Sequence, residues 1–446
     1  MRNTSGTVGR WFGSILLAGS LLLAGGARAE DLQAVYELAL NRDAVYQAAQ
    51  AQYLAAREAT PQARSFLLPQ INAFAKGEHD AQSITNDDRF PDQNIDTNRY
   101  GYGVTLNQVL FNRDLFLGLN QAEKSVLRAE ALLEDARQAL IVRVARAYFD
   151  VLAAEDTLKA VSAAKEAFKR QMDQAQKRFE VGLIAITDYK EAQAAYDSAT
   201  ASEIAARNDL EVARSALEAI VGQKLGAPAK LTDRFQPLRP DPDDVEEWIR
   251  RAKEQNVQII AAQHATDTAL IEVKRQRAGH WPTVGLSAGA VQDNTSSGLF
   301  GGRDIGTLSV GVRLDLPIYS GGFVSSRVRE ASHNFQASQE QLIQVRRDVI
   351  KQTSDAYLTV LSNISRLHAL KRAVESNQAS YEATQAGFEV GTRTSVDVSQ
   401  AIRNLFAAER DYKVARYEYI IATLSLKRAA GMLSAEDIQR INAWLD

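Results

Sequence analysis

Apolar positions recur at alternating steps of four and three residues along much of the chain. The clearest series runs through Leu140, Val144, Ala147, Val151, Ala154, Leu158 and Val161. This spacing is typical of a helix that packs against neighbouring helices along its whole length, as in a coiled coil. Because 112–179 contains no proline and a single glycine, we predict one unbroken helix there, roughly 100 Å long.

A second long helix and four shorter ones complete the helical pattern. The stretch 322–388 has the same composition as the first long helix. The shorter helical stretches are 31–66, 188–221, 244–278 and 397–430, each about 35 residues long. Two short helices end to end match one long helix in length, so we predict four helical columns per chain.

Between the helices the pattern changes to a period of two, which predicts strands. In 100–107 apolar residues alternate with Gly101, Gly103, Thr105 and Asn107, and in 307–316 they alternate with Thr307, Ser309 and Gly311. The predicted partner strands are 69–76 and 282–292, so each pair forms a hairpin. The hairpin connections 80–98 and 293–306 are rich in Asp, Asn, Ser and Gly, and we expect polar loops there.

Strands with one apolar and one small polar face, and aromatic residues near their ends, are typical of outer-membrane β-barrels. A soluble sheet packed on a helix explains the strands alone equally well. Four strands cannot close a barrel, and an unpaired edge is excluded from lipid, so a barrel needs several chains. Two copies give eight strands and three give twelve. The small polar face favours a trimer with an open interior.

The chain is internally duplicated. Phe179-Glu180-Val181-Gly182 with Asp188 recurs 209 positions later as Phe388-Glu389-Val390-Gly391 with Asp397. We therefore predict two structural repeats, 30–222 and 244–431. A proline-rich linker, 223–243, joins them, and with the tail 432–446 it is expected to form an equatorial belt around the helices.

The N-terminus predicts export. Residues 1–29 combine basic residues, an apolar run and an Ala-Arg-Ala site, as in a cleaved signal peptide. Without this segment 49 basic residues face 55 acidic ones, which argues against a nucleic-acid partner. The sequence contains no cysteine, so disulfides, thiolate metal sites and a lipid-bearing cysteine are excluded.

No residues point to catalysis. The five histidines are scattered, without the spacing of a metal site, and no glycine-rich stretch has the lysine of a phosphate loop. We therefore expect no enzyme activity, no metal and no cofactor. The main alternative to a channel is a periplasmic coiled-coil spacer or adaptor, which accounts for the helices but not for two equivalent strand pairs.

Taken together, the duplicated motifs resemble those of TolC-family outer-membrane channels. The match rests on Arg178-Phe179-Glu180-Val181-Gly182-Leu183 running to Asp188, and on Gly387-Phe388-Glu389-Val390-Gly391-Thr392 running to Val398. The resemblance implies a mainly α protein with a β-barrel part: a homotrimer whose twelve-stranded transmembrane barrel continues as a twelve-helix tunnel. It also implies a periplasmic adaptor and an inner-membrane ABC or RND-type transporter as partners, and an outer-membrane location.

The motifs also have a local interpretation. We predict that Gly182 and Gly391 end long helices in the left-handed conformation, and that Asp188 and Asp397 accept the free amides where the next helices begin. All four residues are then turn formers at helix-hairpin tips. On these residues alone, a purely structural role is an open alternative to a functional one.

By resemblance, the tips also close the pore. Thr187 and Asp188 are expected to pair with Arg393 on the other hairpin, and Arg416 to form a second latch to a neighbouring protomer. Asp397 is expected to form a ring of carboxylates at the constriction, which would favour cations. Phe388 replaces a tyrosine of the family's gate, and Gln400 replaces a second aspartate, so a hydroxyl bond and half of the carboxylate ring are missing.

Overall fold

The structure is a computed structural model, and it describes residues 31–85, 93–232, 235–297 and 301–446. The predicted signal peptide therefore lies outside the described residues. Five helices and two strands form the first half of the fold. In chain order they are α1 (Leu32–Arg42), α2 (Ala44–Arg57), α3 (Ala59–Ser65), β1 (Gln70–Ile84), β2 (Gln93–Phe111), α4 (Arg113–Glu180) and α5 (Ile186–Val221).

The second half repeats this order, which confirms the internal duplication. Its elements are α6 (Val245–Gln255), α7 (Val257–Ala278), β3 (Thr283–Thr295), β4 (Arg303–Asp315), α8 (Phe323–Glu389), α9 (Ser395–Ala429) and a terminal α10 (Ala435–Asn442). The two long helices α4 and α8 have 68 and 67 residues, and the helices that follow them have 36 and 35.

The prediction of unbroken helices at 31–66 and 244–278 is wrong at equivalent points. Asp43 and Asn256 both have extended backbone angles and act as N-caps, with side chains that accept amide N–H groups of the next helix. Asp and Asn compete with helical hydrogen bonding in this way, which the composition of the surrounding segment conceals. A further break at Glu58 separates α2 from α3.

The short helices stack into columns beside the long ones. The Arg42 side chain bonds Gln223 just beyond the end of α5, and the Asn256 side-chain amide donates to the Ala429 carbonyl at the end of α9, at 2.8 Å. The end of α5 thus lies beside the break between α1 and α2, and the end of α9 lies beside the break between α6 and α7. Within the described ranges, no helix has an apolar stretch long enough to cross a membrane.

The main hydrophobic core lies at the middle of the helices. The predicted seam is buried there: Leu140 and Val144 are fully inaccessible, and Tyr148 and Phe149 beside them are too. The linker and tail pack over this region, because Lys230 and Asp446 exchange two backbone hydrogen bonds of 2.8 and 2.9 Å. The linker residue Phe235 packs its ring edge-on against Tyr419 and Trp444.

The four strands form one antiparallel sheet in the order β1-β2-β3-β4. The strands continue into the segments predicted as loops, so the prediction of long polar connections at 80–98 and 293–306 is wrong at 80–84, 93–98, 293–295 and 303–306. Positions 86–92 and 298–300 of these connections lie outside the described residues. Backbone pairing persists there because cross-strand polar pairs replace apolar ones: Asp80 binds Arg99 at 3.1 Å, and His79 Nδ1 lies 2.7 Å from Asn98 Oδ1.

The two faces of the sheet differ as the alternation predicts. Directly opposed residues share a face in antiparallel strands, so Ile71, Leu106, Ala288 and Val310 form one apolar row across all four strands. The row Asn72, Thr105, Gly289 and Ser309 belongs to the other, small polar face. Most of the large apolar side chains of β2 and β4 are exposed in the protomer.

Gly101 has a specific role on the polar face. Lys76 of β1 and Asp293 of β3 form an ion pair of 3.2 Å directly across the strand that carries this glycine. A Cβ atom at position 101 would lie 2.5 Å from Asp293 Oδ1 and 2.6 Å from Lys76 Cε. The ion pair therefore depends on the absence of a side chain between its partners.

We predict that Gly101→Ala displaces the two side chains, breaks this half-exposed ion pair and lowers the stability of the sheet by about 0–1 kcal/mol, because both partners can move aside. Guanidinium unfolding of the purified protein, followed by tryptophan fluorescence, measures the loss. Gly311→Ala is the matched control, because its Cβ would meet only Ser287 Oγ, at 3.8 Å. Equal midpoints for the two variants would contradict the proposed role of Gly101.

Candidate functional site

The tips of the two helix hairpins are built alike. Gly182 and Gly391 have φ values of +76° and +80°, the left-handed region that glycine adopts without strain. Beyond them, the Leu183 N–H donates to the Arg178 carbonyl and the Thr392 N–H donates to the Gly387 carbonyl, both at 2.8 Å. These bonds satisfy the last carbonyls of α4 and α8 and reverse the chain, as predicted for both glycines.

The next helices begin differently. In α9 the Thr394 side chain accepts the Asp397 N–H, and the Asp397 carboxylate accepts the Thr394 N–H at 2.9 Å, which is a capping box. In α5 the N-cap is Ala185, without any side-chain hydrogen bond. The predicted cap is thus found for Asp397 and is wrong for Asp188. Asp188 lies in the first turn of α5, where its negative charge interacts favourably with the positive end of the helix dipole.

Asp397 is held in its charged form. Hydrogen bonds from the Thr394 backbone N–H and hydroxyl lower its pKa below the usual 3.8, and the nearby Arg393 charge adds to the effect. The capping box is therefore fully formed above pH 3.8 and is lost only as the pH falls through the lowered pKa. Gln400, one turn further along, donates to Asn404 at 2.7 Å on its own helix.

An apolar cluster joins the two hairpins just above the tips. It comprises Ala167, Phe168, Ala199, Phe388, Val398 and Ile402. Phe388 is only 8% exposed, so its ring lies inside this cluster and not at the open surface of the tip. The absence of a hydroxyl at this position is thus compatible with the apolar surroundings of the ring, where an unpaired hydroxyl would be costly.

Gln171 adds a polar link that the motifs do not reveal. Its side-chain amide donates to the Ser395 carbonyl at 2.7 Å and to the hydroxyls of Ser395 and Ser399, both at 3.0 Å. All three residues are buried, and the bonds join α4 of the first hairpin to α9 of the second. The sequence carries a signal for it, because Gln171 lies three residues after Phe168 and four before Ala175, on the packed side of α4.

The predicted latch residues do not all meet within one protomer. Arg393 is exposed, and its side chain lies over Gly387 at the tip of the second hairpin. Among the described ion pairs of the protomer, none joins Arg393 to Asp188. Thr187 is exposed and Asp188 half-buried at the other tip. The expected pairing of Thr187 and Asp188 with Arg393 is therefore not among the described contacts of the protomer, and it stays a prediction.

Arg416 lies far from the tips. It is 21 residues beyond Ser395 on α9, which corresponds to roughly 32 Å of helix. Its Nη2 donates to the Thr232 carbonyl at 2.5 Å, and its guanidinium carbon lies 5.4 Å from the centre of the Phe235 ring. Within the protomer Arg416 therefore anchors the linker to α9.

The fold and the tips define a class: a four-stranded sheet with exposed apolar side chains, joined to long paired helices that end in two hairpin tips. Comparisons with known proteins agree. The family model described as "Outer membrane efflux protein" matches residues 35–223 and 248–432. The chain belongs to this family.

Named relatives extend the match over nearly the whole chain. Outer membrane protein TolC of Vibrio cholerae is 36% identical over 95% of each chain. The alkaline protease secretion protein AprF of Pseudomonas aeruginosa is 31% identical and covers 97% of this chain and 90% of its own. In structure, the Campylobacter jejuni CmeC outer membrane channel aligns with a TM-score of 0.79 at 17% identity, over 93% of this chain and 90% of that one.

These findings decide between the alternatives left open by the sequence. The protein is an outer-membrane channel of the kind used in efflux and type I secretion, and the periplasmic spacer is not favoured. The family consists of passive channels. The fold prediction, a helical tunnel continued by a barrel with four strands per protomer, is confirmed by the channels that share the structure.

We predict that Gln171→Leu destabilises the contact between the hairpins, because it leaves the Ser395 carbonyl and two hydroxyls without their buried donor. The expected loss is about 1–3 kcal/mol, measured as a shift of the denaturant midpoint. Gln176→Leu is the control, since Gln176 is exposed and bonds only Glu180 on its own helix. A Gln171 variant as stable as the control would show that the link contributes nothing.

Proposed function

We propose that three copies of the chain assemble into one gated conduit, with a twelve-stranded barrel above and a twelve-helix tunnel below. The observation that supports this most is the open sheet. β1 and β4 are edge strands, and large apolar side chains of β1, β2 and β4 are exposed in the protomer. In lipid both edges must be paired, and pairing β4 of one copy with β1 of the next achieves this.

The repeat organisation follows the same proposal. We place one repeat at 30–222 and the other at 244–431, with residues 1–29 as a signal peptide that is removed on export. The linker 223–243 and the tail 432–446 form the equatorial region, which is consistent with the backbone bonds between Lys230 and Asp446.

The tips are the proposed gate. Each protomer contributes two hairpins, so six hairpins meet at the mouth. The latch runs from Arg393 on one hairpin to Thr187 and Asp188 on the other, and the exposure of Arg393 and Thr187 at the tips supports it. Phe388 holds the two hairpins of one protomer together from within the apolar cluster. A further latch from Arg416 to a neighbouring protomer would compete with its bond to Thr232.

The proposed constriction is a ring of three Asp397 carboxylates. Its charge is secured by the capping box, and Gln400 adds polar but neutral groups one turn away. Such a ring attracts cations and repels anions at the narrowest point. The carboxylate that caps the helix is thus also the charge that selects ions.

The partners are proposed from the relatives. A passive conduit has no energy source of its own, so an inner-membrane transporter of the ABC or RND type and a periplasmic adaptor would deliver the cargo. The relative AprF is named for alkaline protease secretion, and others are named for efflux. We therefore propose drugs, secreted proteins or both as cargo.

The first test is conductance of the mature protein in a planar lipid bilayer. We predict discrete cation-selective steps for the native protein. We predict larger or longer openings for Arg393→Ala, because each exposed latch contributes about 0–1 kcal/mol to the closed state and the variant removes all three. Arg372→Ala, an exposed position on α8 above the tip, is the control. Failure of every protein to conduct would refute the channel, whereas identical steps in all three would refute the latch.

The second test addresses the constriction. We predict that Asp397→Asn weakens block by a trivalent cation about tenfold or more, because three charges leave the ring, while the Asn oxygen still accepts the Thr394 N–H. In the native protein, block should stay constant from pH 7 to about 5 and fall only at lower pH, as the lowered pKa requires. The control Asp355→Asn removes an exposed carboxylate from α8, far from the tip. Equal block in both variants would contradict the ring.

A further inference from the structure

We propose that Arg178 is a positioning residue of the gate: its guanidinium lies on the face of Phe388 and holds the two hairpins of each protomer together. This inference rests on the proposed function. It concerns the position at which the chain lacks the tyrosine expected by resemblance.

The geometry is a cation–π contact between the two repeats. Arg178 belongs to the last turn of α4, and Phe388 is the penultimate residue of α8. The Arg178 guanidinium carbon lies 4.8 Å from the centre of the Phe388 ring, within the range in which a cation is attracted by the ring face. The contact therefore joins the ends of the two long helices directly.

The surroundings strengthen this contact. Phe388 is buried in the apolar cluster, and Arg178 is half-buried at its lower edge. Among the described residues, no carboxylate forms an ion pair with Arg178, so the ring does not compete with a stronger partner. Arginine suits such a position, because its guanidinium is planar and less strongly hydrated than the ammonium group of lysine.

A second arginine lies on the same cluster from the opposite repeat. The Arg403 guanidinium carbon of α9 is 6.0 Å from the Phe168 ring of α4. Both aromatic residues of the cluster thus face an arginine of the other hairpin. This contact is at the limit of the distance range, so we assign the main effect to Arg178.

The arrangement has a mechanical consequence. The hairpins can separate at the mouth only if Phe388 leaves the residues of the first hairpin in the cluster and Arg178 also leaves the ring. A tyrosine hydroxyl would hold the closed state through a hydrogen bond at the ring edge, whereas Phe388 provides only a face. In this chain the closed state therefore depends on the ring's electron density, which is a property that experiments can vary alone.

The test uses the full-length trimer in planar bilayers. Phe388 is replaced by phenylalanines that carry one, two or three ring fluorines, which weaken the negative face with little change in shape. We expect the open-to-closed ratio to rise with each fluorine, and by about two- to fivefold per protomer when the contact is lost entirely. The same series in Arg178→Met should be flat.

The matched control is Lys190→Met. Lys190 lies 5.3 Å from the Tyr189 ring within the first hairpin, so this variant removes one tip cation without affecting the contact between hairpins. It should conduct like the native protein. Arg178→Lys should restore only part of the closure lost in Arg178→Met.

The outcomes separate the two proposals. The inference is supported if the open-to-closed ratio rises with the number of fluorines when Arg178 is present and stays constant in Arg178→Met. Steps in the native protein with no dependence on fluorine number, or equal effects of Arg178→Met and Lys190→Met, would overturn the role of Arg178 while leaving the channel intact. Absence of steps in every protein would overturn the proposed function and this inference with it.

Discussion

An unpaired strand edge cannot remain in lipid, and this constraint governs the rest of the molecule. The protomer has four strands in sequential order, so β1 and β4 each have one side without a partner in the sheet. Closing the sheet with further copies fixes how many helical columns stand beneath it, because each copy brings the columns of α4 and α8 and the two stacked columns beside them. The width of the tunnel and the number of tips at its mouth therefore depend on how many strands close the barrel.

The junction between sheet and helices transmits this arrangement downwards. Phe111, the last residue of β2, packs its ring 6.4 Å from that of Trp281 before β3, and the Arg113 guanidinium lies 4.2 Å from the Trp281 ring centre. Asp114, the residue after Arg113 on α4, forms an ion pair with Arg275 of α7 at 3.0 Å. These contacts thus join the first repeat to the second at the place where the strands meet the helices. The large central core follows, whereas near the tips the hairpins are joined by a small apolar cluster and the buried link from Gln171. Opening is therefore expected to start at the tips, where the fewest contacts must be broken.

Much of this could be predicted from the sequence, because periodicity reports packing directly. The seam from Leu140 to Val151 predicted the buried face of α4, and the duplication predicted two equivalent halves. The failures have physical causes. Asp43 and Asn256 interrupt helices by capping, an effect of single side chains that composition averages out. The polar ends of the strands were predicted as loops because their side chains lack the apolar alternation. Backbone hydrogen bonds between strands do not depend on side-chain polarity, so the strands continue there. The tertiary partners of Gln171 and Arg416 depend on which helices become neighbours, which periodicity does not specify.

The proposed gate must be stable when closed and yet able to open, and several weak contacts at the tip suit both requirements. An exposed ion pair contributes about 0–1 kcal/mol and a cation–π contact about 0.5–2 kcal/mol. In the proposed trimer, three copies of such contacts would favour closure by a few kcal/mol, which is enough to keep most channels shut. A partner that binds the separated tips more tightly than the closed ones by the same amount then suffices to open them. One deeply buried salt bridge would be a poorer device, because breaking it would leave an uncompensated charge in the pore wall. The same argument is consistent with a phenylalanine in the proposed gate, because closure there would need only a modest, reversible contact of the kind that the ring face provides.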